Sequence, residues 1–298
     1  MKTWKRAAAL LLTAALLIGL SGCGVFETKL ARAIQKMSDL DDLHVSLALE
    51  AALELRVTGL PPETAPDARR SLPITGSFTA EGELYTKPLR SKLDTVLTLP
   101  GSELRSECYL EKEERAYYLY SRINEGTLWQ KQGLAEQDGG KVKGLRYIVS
   151  SMESFEQSAE DAEAQAELRF DGVLAGEDIE ELLRLYGVWE LLAEGIGLQL
   201  KEDLFEELPD VPASVWVDAG TGMIVRGEAD LTAIAAAIAE KQMEDGRAAL
   251  GLDDFGAELA LTGLRLELEL SGFNESAAFE IPEEAKAAWG ESVKPWEK

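Results

Sequence analysis

The chain has 298 residues, with 30 lysines and arginines against 54 aspartates and glutamates, and a formal net charge of −24 at pH 7. A surface of that sign repels nucleic acid and anionic lipid headgroups, which excludes a nucleic-acid-binding role. Hydrophobic residues make up 46% of the chain, enough for a sizeable core in one large domain or two small ones, and its two cysteines, Cys23 and Cys108, provide no disulfide framework.

The first segment reads as an export signal. Lys2, Lys5 and Arg6 precede the run Leu10 to Gly24, LLLTAALLIGLSGCG, and its apolar part, Ala7 to Leu20, is shorter than the roughly 20 residues of a membrane span. Leu20-Ser21-Gly22-Cys23 resembles the bacterial lipobox: a thiol that accepts diacylglycerol, small residues beside the cut and an apolar residue before them. The expectation is a signal peptide over 1–22, cleavage before Cys23 and a lipidated tether over 23–27. Diacylglycerol and a further acyl chain such as palmitate on Cys23 would anchor the protein, because burying acyl chains is worth about 0.8 kcal/mol per CH₂. No other cofactor is expected. Loss of Lys2, Lys5 and Arg6 leaves the mature chain still more acidic, extracytoplasmic and held off its own membrane surface.

Val25 to Leu40 predicts an amphipathic helix, with Phe26, Leu30, Ala33, Ile34, Met37 and Leu40 at helical spacing and Lys29, Arg32, Gln35 and Lys36 opposite. It ends at Asp39-Leu40-Asp41-Asp42, which lacks the glycine and the glutamate of an EF-hand loop and fits a solvated turn. A long half-buried strand follows from Val45 to Val57, with Val45, Leu47, Leu49, Ala51, Leu53, Leu55 and Val57 on one face. Gly59 to Pro73 holds four prolines and predicts a long loop, either a flap at an opening or a plain excursion.

Gly76 to Lys87, with Phe78, Ala80, Gly82 and Leu84 on one face, and then Leu93, Thr95, Leu97 and Leu99, continue the alternation as an antiparallel meander. Leu104 to Leu110, Arg115 to Ile123 and Thr127 to Gln132 extend it, and Cys108 fits there as a small buried hydrophobe rather than a reactive thiol. Gln137 to Lys141 is a turn without phosphate-loop spacing. Leu145 to Phe155 and Glu177 to Glu194 predict helices, the second with an apolar stripe of Ile179, Leu182, Leu183, Tyr186, Trp189 and Leu192.

Ser214 to Leu231 is a hairpin turning at Asp218-Ala219-Gly220-Thr221-Gly222; the aspartic-protease order Asp-Thr-Gly is not met, so Asp218 is a turn residue. Thr232 to Met243 is an Ala-rich helix. In the strand Glu258 to Ser271 the leucine parity changes at Gly263, between Leu261 and Leu264, which predicts a bulge. Phe279 and Ile281 form an edge segment, and a polar tail begins at Pro282.

Three stretches carry a resemblance. Ala33-Ile34-Gln35-Lys36-Met37-Ser38-Asp39-Leu40 before a long strand, Val215-Trp216-Val217-Asp218 through Gly222-Met223-Ile224-Val225, and Leu270-Ser271-Gly272-Phe273-Asn274 with Ile281-Pro282-Glu283-Glu284 resemble the cell-surface lipoproteins of the LppX/LprG type, in the LolA/LolB superfamily. The resemblance implies an α+β fold: a strongly curved antiparallel β-sheet, a half-barrel, covered by α-helices on its concave face. It implies one domain over 28–285, with 286–298 as a polar tail, and a hydrophobic cavity for acyl chains. A sheet with one apolar face must in any case bury it, and the amphipathic segments supply the cover.

The functional expectation is a membrane-anchored lipoprotein that binds a lipid or another hydrophobic small molecule without chemistry, as carrier or sensor. The candidate inner face is Leu47, Leu49, Leu53, Phe78, Leu84, Leu97, Val215, Val217, Leu261, Leu266 and Leu268. The alternative is a solidly packed surface lipoprotein that serves as an interaction module for an envelope protein partner. His44 is the only histidine and has no nucleophile signature near it, so no catalytic residue and no metal site is expected.

Overall fold

Period-two alternation turns most of the described residues into sheet. The computed structural model describes residues 29–57, 71–113, 116–124, 126, 128–134, 155–158, 166–185, 207–238, 240–241, 257–288 and 290–291. The order is α1 (Lys29–Asp39), β1 (Asp42–Val57), β2 (Ser71–Thr86), β3 (Leu89–Leu99), β4 (Ser102–Glu113), β5 (Ala116–Ile123), β6 (Gln130–Leu134), β7 (Glu156–Gln157) and β8 (Glu167–Leu174). It continues with α2 (Gly176–Leu185), β9 (Val211–Asp218), β10 (Ile224–Asp230), β11 (Ala257–Ser271), α3 (Glu283–Lys286) and β12 (Gly290–Glu291). Residues 232–238 and 240–241 are also helical.

The twelve strands form one open sheet in the order β12-β6-β5-β4-β3-β2-β1-β11-β10-β9-β8-β7, a sheet-rich α+β architecture. All neighbours run antiparallel except β12 beside β6. The meander β1 to β6 is sequential, whereas β11 returns to pair with the free side of β1 and brings β10, β9 and β8 with it.

One face of this sheet is apolar. Leu43, Val45 and Leu47 of β1 stand beside Leu84, Gly82 and Ala80 of β2, and Val45 and Leu47 beside Leu270 and Leu268 of β11. The expected helix stripe seals one end of that face: Leu30 and Ala33 of α1 pack with Phe170, Val215 and Val217, while Met37 and Leu40 pack with Leu43, Val45 and Leu84. Farther along β8 to β10, Ile179 of α2 and Ile234 and Ile238 cover Val211, Leu174 and Ala229. Burying such a side chain is worth about 1.5–3 kcal/mol, so this seam holds α1 to the sheet.

The hairpin turn is tied to α1 as well. Asp218 accepts from Thr221 N at 2.6 Å and Thr221 Oγ1 at 2.7 Å, Gly222 takes a φ of +68°, and Lys36 Nζ donates to Thr221 O at 2.6 Å. These donors hold the Asp218 carboxyl below its ordinary range, first through the Thr221 backbone N–H. Asp218 is a turn residue.

Several boundaries differ from the sequence reading. β2 starts at Ser71, so Pro73 lies inside a strand and not in the loop; it pairs with Glu54. Strand β8 was not expected, although Leu168, Phe170, Gly172 and Leu174 alternate in it. Phe279 and Ile281 form no edge strand: they pack with Tyr109 and Tyr120 on the sheet's other face, and Ala285 of α3 is fully buried there. Past residue 285, β12 adds to β6 as a parallel edge strand. Cys23 with the segment 1–27, most of the loop 59–73, Gln137 to Lys141, nearly all of Leu145 to Phe155 and the second half of Glu177 to Glu194 lie outside the described residues.

The predicted bulge is present. The register between β1 and β11 shifts between Ala52, opposite Gly263, and Leu53, opposite Leu261. Thr262 is the extra residue, and its hydroxyl donates to Ala52 O at 3.1 Å. Leu261 and Leu264 thereby share the apolar face despite their parity.

Gly82 is required by close approach: a Cβ there would meet Lys92 O at 2.0 Å, whereas one at Gly227, on the same face, would meet nothing nearer than Leu268 Cβ at 3.9 Å. Gly82→Ala is expected to lower unfolding free energy by about 3 kcal/mol in urea titrations. Gly227→Ala should stay within about 0.5 kcal/mol of the parent, or above it.

Candidate ligand-binding faces

All eleven residues of the expected inner face stand on the apolar face. The register puts Leu97, Phe78, Leu49 and Leu266 in one transverse row across β3, β2, β1 and β11. Leu47 and Leu268 form the next row toward α1, and Leu53 and Leu261 lie beyond the bulge. Val215 and Val217 stand under α1, and Leu84 is opposite Leu43.

Burial along β1 is graded. Leu43, Val45 and Leu47 are buried, whereas Leu49, Ala51 and Leu53 are half-buried. Leu97, Leu264 and Leu266 are half-buried in the same region, and Leu99 is 40% exposed. The end of the face away from α1 thus presents aliphatic side chains with less cover. In its middle Ala80, Leu93, Cys108 and Leu119 form one buried cluster with Leu47 and Phe78. Gly82 belongs to the packing, because the β3 backbone fills the space beside it.

The opposite face is polar. Residues two apart on a strand share a face, and here they are often of opposite charge: Arg169 with Asp171 at 2.7 Å, Arg105 with Glu103 at 2.8 Å, and Arg226 with Glu228. Across strands, Arg265 bonds Glu228 at 2.7 Å and Arg90 approaches Glu111 at 3.0 Å. Burial alone would raise the Glu228 carboxyl, but the Arg265 hydrogen bond and the Arg226 and Arg265 charges outweigh it and hold the group below its ordinary range. His44 also stands on this face, with Nδ1 3.0 Å from Glu83 and Nε2 3.4 Å from Glu81.

A groove of about 920 Å³ lies on the polar face, reaching from Thr98 on β3 to Arg169 and Asp171 on β8. Glu50, Ser77, Ser214, Glu228 and Arg265 line it with side chains that leave the sheet opposite Leu49, Phe78 and Leu266. From the apolar-face parity it takes mainly small residues such as Ala51, Gly76 and Ala213, whose backbones are open to it. The cavity expectation therefore falls on one face and the described groove on the other. Sequence reasoning missed this groove, because its walls come from strands far apart in the chain. The local signal was the polar half of each alternation, which reads only as a solvated surface.

Cys108 is 4% exposed among Leu47, Phe78 and Leu93, and burial, with Asp94 and Glu107 adding to it, pushes its thiol up to about 12. In a chain carrying Cys23→Ser, iodoacetamide at pH 8 should alkylate folded Cys108 at least about 100-fold more slowly than the denatured chain, as read by intact mass. Glu228 supplies a second expectation. A carboxylate held below its unfolded value contributes stability that is present above the ordinary carboxylate range and lost as pH falls through the folded value. Glu228→Gln should therefore cost about 1 kcal/mol at neutral pH, and the gap in urea midpoint should narrow as pH falls below the ordinary carboxylate range. No family model matches the chain, and no curated protein matches it.

Proposed function

We propose that the chain is a membrane-anchored extracytoplasmic lipoprotein that binds a lipid or another hydrophobic molecule without chemistry, as carrier or sensor. The carrying observation is the apolar face of the sheet, whose aliphatic rows pass from buried under α1 to half-buried at Leu49, Leu53, Leu97 and Leu266. An acyl chain laid along those rows would complete the burial that the described helices leave unfinished. The lipobox at Leu20 to Cys23 supports the anchor, and the resemblance to lipoproteins of the LppX/LprG type supports a sheet curved into a half-barrel around that ligand. Interaction with an envelope protein is the second reading, favoured by the buried cluster around Ala80 and Cys108 and by the polar groove on the other face.

Native mass spectrometry of the chain with Cys23→Ser, alongside a solvent extract of the same preparation, tests the first reading. A bound mass matching an extracted lipid is expected, and it should fall at least tenfold in occupancy in Leu49→Trp or Leu266→Trp with circular dichroism unchanged. A clean apo mass, with no uptake of a fluorescent fatty acid, would move the assignment to the interaction module.

A further inference from the structure

The groove on the polar face has the volume of a ligand site but the wrong chemistry for an acyl chain. Its size, about 920 Å³, is near the upper end of the range of small-molecule pockets. Its walls carry hydroxyls, as at Thr75, Ser77 and Thr98, and four carboxylates against two guanidiniums. Two of those carboxylates are already engaged: Asp171 accepts from Arg169 at 2.7 Å and from Ser214 at 2.6 Å, and Glu228 accepts from Arg226 and Arg265. These pairs are fixed before any ligand arrives. Asp230 is engaged as well, accepting from Thr232 N at 3.0 Å. Glu50 is different: it is exposed, and Arg265 feels its charge without an ion pair between them.

We propose that this groove binds an extended segment of a partner protein that carries lysine or arginine. The charge excess selects a cation, and the free Glu50 carboxylate in the groove's middle receives it. Shape selects an extended chain over a compact ion. The lining strands β3 to β8 are six strand spacings apart, up to about 29 Å along the sheet, which eight or nine residues of extended peptide would span at about 3.3 Å each. The floor contributes Gly76, Ala52 and Ala213, which let a main chain approach closely, and the hydroxyls of Thr75, Ser77 and Thr98 offer donors and acceptors to its peptide groups. This goes beyond the lipid reading and does not rest on it, since the two faces are separate.

The test uses the full chain in nonionic detergent and a fluorescein-labelled nonapeptide of alternating lysine and serine, followed by fluorescence anisotropy. Binding is expected, with at least tenfold weakening in Glu50→Lys. Thr98→Lys, an exposed change at the groove's end, should weaken it comparably and decides the question if Glu50→Lys does not fold. Glu280→Lys makes the same change of charge on the segment over β4 and β5, outside the groove, and should stay within twofold of the parent. A parent chain that does not bind, or a Glu280→Lys variant that weakens binding as much as the groove variants, would overturn the proposal; the latter would mean that net charge alone attracts the peptide. Equal binding of an alternating glutamate and serine peptide would overturn it too. Leu49→Trp, on the apolar face, should leave peptide affinity unchanged.

Discussion

Each long strand of this sheet has to serve two chemistries in one register. On β1, Leu47 faces Leu268 and Ala80 across the ladder, while its neighbour Ser46 faces Glu269 and Glu81. A slip of one residue would turn the aliphatic row to the charged side and the carboxylates into the core, so register is strongly specified. The same constraint explains the bulge. β11 carries one residue too many at Thr262, and only by looping it out can Leu261 stay in line with Leu264 to Leu270.

The two faces contribute unequally to stability. Burial of aliphatic side chains, at both ends of the face against α1, α2 and residues 232–238, drives the assembly, whereas most ion pairs opposite have half-exposed partners and are worth up to about 1 kcal/mol each. Their effect is distribution of charge: pairs such as Arg169 with Asp171 neutralise acids locally on a chain of net charge −24. One part of the polar face is treated as core. After β11 the chain turns at Gly272 and Asn274, both at positive φ, and Asn274 and Ser276 bond back to Asp41 and Asp42. This directs Phe279 and Ile281 onto Tyr109 and Tyr120, with Arg90 4.9 Å from the Phe279 ring. Aromatic residues at β4 and β5 therefore point to the polar side because a returning segment covers them.

What was legible in the sequence was whatever depends on local period. The helix stripe of Leu30, Ala33 and Met37, the meander and the bulge all follow from spacing within one segment, and so does the shared face of the eleven candidate residues. β8 was missed although it alternates, because it is short and follows an acid-rich stretch. The Phe279 segment was misread as a strand because its burial is provided by tyrosines more than 150 residues earlier. The groove was illegible for a related reason. Glu50 and Ser77 meet Ser214 and Asp171 only because β11 pairs with β1, a long-range choice that no local pattern encodes.

The segregation of chemistry also limits what each face can bind. A lipid tail in the polar groove would strand Glu50 and the Arg169 to Asp171 pair against hydrocarbon without hydration, and a cost of that kind exceeds what apolar contact with Ala52 and Pro212 returns. A cationic peptide on the apolar rows would meet the converse problem, since Leu49, Phe78 and Leu266 offer no partner for its charge or its amides. Because the strands are one residue thick, ligands on the two sides would be separated only by the backbone of β1, β2 and β11. The pleat keeps their chemistries apart all the same, because Glu50 and Leu49 are neighbours in the chain yet leave opposite sides of the sheet.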